Sequence, residues 1–300
     1  MQNISRHFRA VRGAMAGTVT WCLSSAAAFA LEPVNWQVGY QTASTPIAER
    51  AQAFGNGLLM VMTLITLFVL TLLVLVIVRF NAKANPVPSK TSHNTMIEVV
   101  WTVIPVLILV GVAVPSFSLL FAANDPARAI PGYDATKEKP LTIKVIGHQW
   151  SWSYEYPDNG GIAVDSGPVR DPDKDFAPGG KPRLLEADYA MVVPVGQVIR
   201  LHVATTDVIH SFTVPAFSLK MDAVPGRLNE IWFRADKEGI YYGQCAQLCG
   251  QDHAFMPINV RVVSKEKYAQ WAAAAKTNLD GAYKTLGAID TTAPTTFAAR

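Results

Sequence analysis

Cysteine is almost missing from this chain: 300 residues hold three, and one of them, Cys22, lies in the N-terminal leader region. A densely cross-linked scaffold is thereby excluded, and the chemistry of the remaining pair, Cys245 and Cys249, becomes the central question. Acidic residues are absent before Glu32, while Arg6, Arg9 and Arg12 precede an apolar run from about Met15 to Ala28 that ends in Ala28-Phe29-Ala30. This is the layout of a secretory signal peptide, expected over residues 1–30 and removed near Ala30. The bulky Trp21 before Cys22 argues against a lipoprotein processing site. Loss of the three arginines takes the formal net charge from +3 to zero, so the basic balance belongs to targeting and leaves no footprint for nucleic acid. Internal repeats are absent as well.

Charge is missing altogether from Leu58 to Val78, 21 residues rich in Leu, Val, Ile and Met. At about 1.5 Å per residue such a helix spans roughly 30 Å of hydrocarbon. A second uncharged run goes from Val99 to about Asn124 and contains Pro105 and Pro115. A spanning helix tolerates these prolines where neighbouring protein satisfies the freed backbone groups, which points to a partner subunit. The expected anchor is therefore a hairpin of two transmembrane helices, 58–80 and 99–123, in the lipid bilayer, after an outer segment at 31–57. The connecting loop, 81–98, is flanked by Arg79 and carries Lys83 and Lys90 with no acidic residue before Glu98, which places it in the cytoplasm and both termini outside.

Beyond Pro126 the texture changes to short β-rich runs, such as Leu141 to Ile146, Val198 to Val203, Glu230 to Arg234 and Ile258 to Val263. These read as strands of a small antiparallel sandwich or barrel, expected over 139–264. Dense Asp, Gly and Pro from Pro157 to Pro182 predict a surface insertion with little regular structure. Over 265–300, Lys265 to Lys284 has helical character, and the Thr/Ala/Pro tail from Asp290 reads as disordered.

Within Tyr241-Tyr-Gly-Gln-Cys-Ala-Gln-Leu-Cys-Gly-Gln-Asp-His-Ala-Phe-Met-Pro257, Cys245 and Cys249 are four apart, His253 follows four later and Met256 three after that. Thiolate, imidazole and thioether together select soft or borderline metals, copper above all. A single blue-copper ion needs one thiolate and two imidazoles, whereas this loop offers two thiolates, and His210 supplies the second imidazole. Two thiolates bridging two coppers, each capped by one His, would use every strong ligand once, with Met256 and a backbone carbonyl as weak axial donors. Plainer readings stand beside this one: a Cys245-Cys249 disulfide, a Cys2His2 zinc site, or Met256 and His210 serving only the core.

Several long motifs occur in one order: Glu98-Val-Val-Trp-Thr-Val-Ile-Pro105, Gly147-His-Gln-Trp-Ser-Trp-Ser-Tyr-Glu-Tyr156, Asp207-Val-Ile-His210, Lys220 to Arg227, and the cysteine loop. In these the chain resembles subunit II of the bacterial aa-type haem-copper cytochrome c oxidases, from Leu58 to Tyr268. The resemblance implies an all-β cupredoxin-like Greek-key barrel on the outer side of a two-helix anchor, in the periplasm at the bacterial inner membrane. It implies partnership with a haem-bearing subunit I, other oxidase subunits and cytochrome c. Electrons would pass from cytochrome c to a mixed-valent binuclear copper centre and on to haem in subunit I, where oxygen is reduced to water with proton pumping. The implied copper ligands are His210, Cys245, the backbone carbonyl of Gln247, Cys249, His253 and Met256. Where the family has Glu this chain has Gln247, which weakens the case for magnesium or manganese at the boundary with subunit I.

The aromatic ribbon Trp150 to Tyr156 reads as a strand with Trp150 and Trp152 on one face. Trp152 is expected in the core; the resemblance places Trp150 exposed above the copper pair, as the point where electrons arrive. From Tyr154 to Asp188 eight acidic residues face four basic ones, a surplus suited to steering a basic cytochrome c. Glu155, Asp188 and Asp207 match the family's docking positions. Glu98 suits a helix N-terminus on dipole grounds alone, and by resemblance it lies at the mouth of a proton-uptake path. Copper-free quinol oxidase subunits, the copper domain of nitrous oxide reductase and a metal-free tethered module are the rival readings. The metal ligands, the two helices and the spectrum of the site separate them.

Overall fold

The computed structural model describes residues 36–169, 182 and 184–286. The expected leader at 1–30, the acidic cluster Asp171 to Asp175 and the tail from Asp290 lie outside the described residues.

Two long helices carry the anchor: α1, Pro46–Arg79, and α2, Thr95–Asn124. Each begins earlier than its apolar run, because capping rather than hydropathy sets a helix start. Thr45 accepts a hydrogen bond from the Ala48 amide with Pro46 in the first turn, and Asn94 accepts one from the Ile97 amide with Glu98 just behind it. The 34 residues of α1 extend over about 50 Å, more than the roughly 30 Å of a hydrocarbon core. Leu67, Phe68, Leu107 and Phe117 are among many exposed apolar side chains along both helices, an arrangement stable in lipid or against partner protein but not in water. Pro105 and Pro115 sit inside an uninterrupted α2. A single turn, α3, Pro126–Ala129, follows.

Among the described residues, ten strands make the outer domain: β1 (Leu141–His148), β2 (Ser151–Tyr156), β3 (Ile162–Ser166), β4 (Met191–Pro194), β5 (Val198–Thr205), β6 (His210–Val214), β7 (Leu219–Ala223), β8 (Asn229–Arg234), β9 (Gly239–Cys245) and β10 (Pro257–Val263). They form two five-stranded sheets, ordered β3-β2-β1-β5-β8 and β4-β10-β9-β6-β7. β1 beside β5 and β4 beside β10 are parallel, a departure from the expected all-antiparallel pairing. Both pairs join strands far apart in sequence, and local alternation carries no information about such crossovers. The stretch read as an unstructured insertion contains β3, which pairs along β2 from Trp152↔Ser166 to Tyr156↔Ile162. Its alternating burial was obscured in the sequence by the Gly and Pro on either side.

Period-two burial along β1 and β5 turns Ile143, Val145, Leu201 and Val203 into the space between the sheets, where Trp152, Tyr154, Phe212 and Tyr241 fill the centre. The C-terminal helices α4 (Lys265–Ala275) and α5 (Leu279–Thr285) close one end. Trp271 of α4 is fully buried, with its ring centre 5.1 Å from Tyr156, 5.7 Å from Tyr268 and 5.9 Å from Tyr283.

The outer domain is fastened to the anchor at two places. Ser44 donates its amide to the Ala216 carbonyl and accepts from the Asp236 amide, while the Thr45 hydroxyl donates to the Phe217 carbonyl, so the cap of α1 is also a tie to the barrel. Beside it, Ala122 of α2 packs with Ala129, Ile130, Val198 and Trp232 in a small apolar cluster. Trp271→Ala is expected to cost about 3 to 5 kcal/mol by emptying an aromatic-lined site. Chemical denaturation of the detergent-purified protein reads this, and a loss below about 1 kcal/mol would show that the helical cap adds little to the domain.

Candidate metal centre

The centre is assembled where β6 meets β9. Pairing is brief, Phe212↔Cys245 and Thr213↔Gln244, and is extended by the Ala246 amide donating to the Ser211 carbonyl at 3.0 Å. It places His210, the first residue of β6, beside Cys245, the last of β9. The chain then loops through Cys249, makes a single 3-10 turn over His253–Phe255, and re-enters the core at Met256.

His210 is fully buried, and its ring fills a space that only glycine leaves open: a Cβ on Gly147 of β1 would lie 2.9 Å from the imidazole. Its orientation is set from behind. Nε2 lies 2.8 Å from the Asp207 carboxylate, so that Nε2 donates and Nδ1 keeps its lone pair towards the sulfurs. Asp207 in turn accepts from the amides of Gln149 (2.6 Å) and Val208 (2.6 Å), with the Thr205 hydroxyl 2.9 Å away. Burial alone would raise its pKa, but the hydrogen bonds from His210 and these neighbours outweigh it and hold the carboxyl down at about 2.

The donors converge on the two sulfurs. Cys245 Sγ lies 4.0 Å from His210 Nδ1 and 3.3 Å from the Gln247 carbonyl; Cys249 Sγ lies 3.4 Å from His253 Nδ1 and 3.4 Å from Met256 Sδ. The two sulfurs are 3.9 Å apart, and both cysteines are free. That separation is nearly twice the roughly 2.05 Å of a disulfide bond. The donor atoms of His210, Cys245 and Cys249 all lie within 4.8 Å of one another, with His253 attached to that group through Cys249. Burial, with Cys245 adding to it, pushes the Cys249 thiol up to about 12. A cation bound here would replace that proton outright.

Trp152 is buried as expected, edge-on to both His210 and Phe212, with its indole N–H directed at the Met256 carbonyl. Trp150 departs from expectation. It lies in the turn between β1 and β2 rather than on the strand, so it does not share a strand face with Trp152, and it is half-buried rather than exposed. The turn forms because Asp207 captures the Gln149 amide and ends the β1–β2 ladder at His148↔Ser151.

Of the acidic residues matched to docking, Glu155 on β2 pairs with Lys144 at 3.0 Å, and Asp188 accepts from the amides of Gly167 and Tyr189. Asp207 serves His210 instead of standing free. Glu98 sits half-buried in the first turn of α2, at the far end of the anchor from the barrel, and the Gln247 side chain is exposed in the loop. Sequence reasoning missed Gly147, Gln149 and Gly250. The one available signal was for Asp207, whose spacing of three from His210 suits a carboxylate supporting an imidazole.

The family model described as "Cytochrome C oxidase subunit II, periplasmic domain" matches residues 141–263, and that described as "Cytochrome C oxidase subunit II, transmembrane domain" matches 33–119. "Probable cytochrome c oxidase subunit 2" of Rickettsia bellii is 49% identical over 251 residues, covering 84% of this chain and 88% of that one. "Cytochrome c oxidase subunit 2" of Cereibacter sphaeroides is 39% identical over 293 residues, covering 90% and 93%. Among solved structures, the periplasmic domain of subunit II of cytochrome oxidase (CoxB) of Bradyrhizobium japonicum is 55% identical, covering 45% of this chain and 93% of that one, with a TM-score of 0.41. The donor set fits a copper site, and two membrane-spanning helices, a cupredoxin-like periplasmic domain and the matched span agree: this chain belongs to the cytochrome c oxidase subunit II family.

Proposed function

We propose that this subunit accepts electrons from cytochrome c at a binuclear copper centre and passes them to haem in subunit I, in the inner membrane of a bacterium. One observation carries the reading: two unbonded sulfurs 3.9 Å apart, those of Cys245 and Cys249, are flanked by two imidazoles and two weak donors, a set that would serve two coppers with both sulfurs shared. A copper pair bound there supplies a one-electron redox centre. The chain's own part is rigidity. Gly147, Trp152 and Asp207 fix His210 on three sides, and low reorganisation on redox follows from ligands that cannot move. A single zinc ion would leave Met256 and the Gln247 carbonyl without a purpose, although both are aimed at the sulfurs.

At the outer face Trp150 is the point at which electrons arrive, and Glu155 and Asp188 steer the basic donor. The carboxylate of Asp207 is engaged by His210 and acts on the ligand more than on the partner. At the opposite end Glu98 opens a proton-uptake path into subunit I. Gln247 would hold copper through its main-chain carbonyl, while its exposed amide would offer magnesium or manganese a weaker oxygen than the family's carboxylate.

Metal analysis of the purified complex should find two coppers assigned to this chain and a magnesium content that rises in Gln247→Glu. Electron paramagnetic resonance should show the hyperfine pattern of a mixed-valent pair, lost in Cys249→Ser. A single copper or zinc per chain, with no such pattern, overturns the reading. Replacing Glu155 and Asp188 by their amides should flatten the fall of turnover with ionic strength, and an unaltered slope would remove them from docking. Glu98→Ala should slow steady-state turnover with the copper signal intact, and unchanged turnover at that signal would leave Glu98 as a helix-capping charge.

A further inference from the structure

Trp150 is held by neighbours that do not bind metal. Its indole edge rests on Gly250, the residue after Cys249: a Cβ there would lie 3.0 Å from Trp150 Cζ2, 3.3 Å from Nε1 and 3.1 Å from Gln149 Nε2. Gly250 has a φ of +126°, a backbone state that L side chains rarely adopt, so glycine is required here both by conformation and by the approaching ring. Gln149 ties the turn to two neighbours, the cysteine loop and Asp207. Its side-chain amide donates to the Cys249 carbonyl at 2.9 Å, and its backbone amide donates to Asp207, which holds His210. One residue thus connects the backbone of one cysteine, the support of one imidazole and the tryptophan that follows it. The indole N–H of Trp150 is buried with no hydrogen-bond partner among the described residues. An unmade hydrogen bond of this kind is unfavourable, so the ring takes this place because the seat imposes it, not through a bond of its own.

We propose that Gly250 and Gln149 are positioning residues for electron uptake: together they seat the Trp150 ring against the Cys249 loop and keep its distance to the metal site short and constant. The proposal rests on the reading of Trp150 as the point where electrons arrive. In that step one electron leaves the donor haem, which is oxidised, and reduces the metal site by one; no proton moves and no bond forms. A methyl group on Gly250 lifts the ring, and loss of the Gln149 amide frees the turn that carries it.

The test uses the whole oxidase complex with Gly250→Ala, Gln149→Leu and Trp150→Phe. Hydroxyl-radical footprinting read by mass spectrometry reports the exposure of Trp150 independently of turnover, and stopped-flow mixing with reduced cytochrome c reports uptake. Oxidation of Trp150 should rise in Gly250→Ala and Gln149→Leu, and uptake should slow about threefold or more, since misplacement on the ångström scale is costly in position-sensitive steps. The copper resonance should stay unchanged in Gln149→Leu, which removes one hydrogen bond to the Cys249 carbonyl but adds no bulk to the loop and keeps the Gln149 backbone amide on Asp207; this variant decides the matter if the methyl of Gly250→Ala disturbs the ligands. A slow Trp150→Phe beside normal uptake in both seat variants overturns the proposal alone. Normal uptake in Trp150→Phe removes the underlying reading and the proposal with it. Unchanged Trp150 oxidation in both seat variants shows that neither residue seats the ring.

Discussion

The whole outer domain is organised around one short strand pairing, that of β6 with β9 at Phe212↔Cys245 and Thr213↔Gln244. His210 and Cys245 are 35 positions apart, and only this ladder brings imidazole and thiol to the same place. The sequence between them, through β7, β8 and their turns, serves to bring the chain back in register. A slip of one residue would send Cys245 to the opposite face of the sheet. The two sheets, the helical cap and the apolar filling between them hold that register against the entropy of a loop with little regular structure.

Asp207 extends the constraint outward. Its carboxylate accepts from the buried His210 and from the Gln149 amide, so His210 and the turn carrying Trp150 share one hydrogen-bonded centre. A carboxylate kept ionised beside an imidazole fixes the tautomer as well as the ring plane. The low pKa of Asp207, about 2, reflects those bonds overcoming the cost of burial. Asp207 is therefore bound into the structure of the centre through its carboxylate.

Electron transfer onward depends on where the barrel stands above the membrane. Thr45 performs two tasks at that junction, capping α1 through its side chain and donating to the Phe217 carbonyl of the barrel. Trp232, Val198 and Ala122 pack beside it. The residue that caps α1 thus doubles as a clamp on the barrel.

Much of this was legible in the residues themselves. Two uncharged runs, a change of texture after Pro126 and four sulfur or imidazole donors within twelve positions determine an anchored β domain with a soft-metal loop, because hydropathy and ligand chemistry are local properties. The helix starts at Pro46 and Thr95, the strand inside the apparent insertion, and the parallel neighbours β1 and β5 were less visible, since capping and crossover pairing compete with local pattern. Tertiary structure alone decided the convergence of the donors on the two sulfurs, the capture of His210 by Asp207, the glycine spaces at 147 and 250 and the place of Trp150 in a turn. Those features are distances between residues up to about a hundred positions apart, which exist only once the backbone has closed on itself.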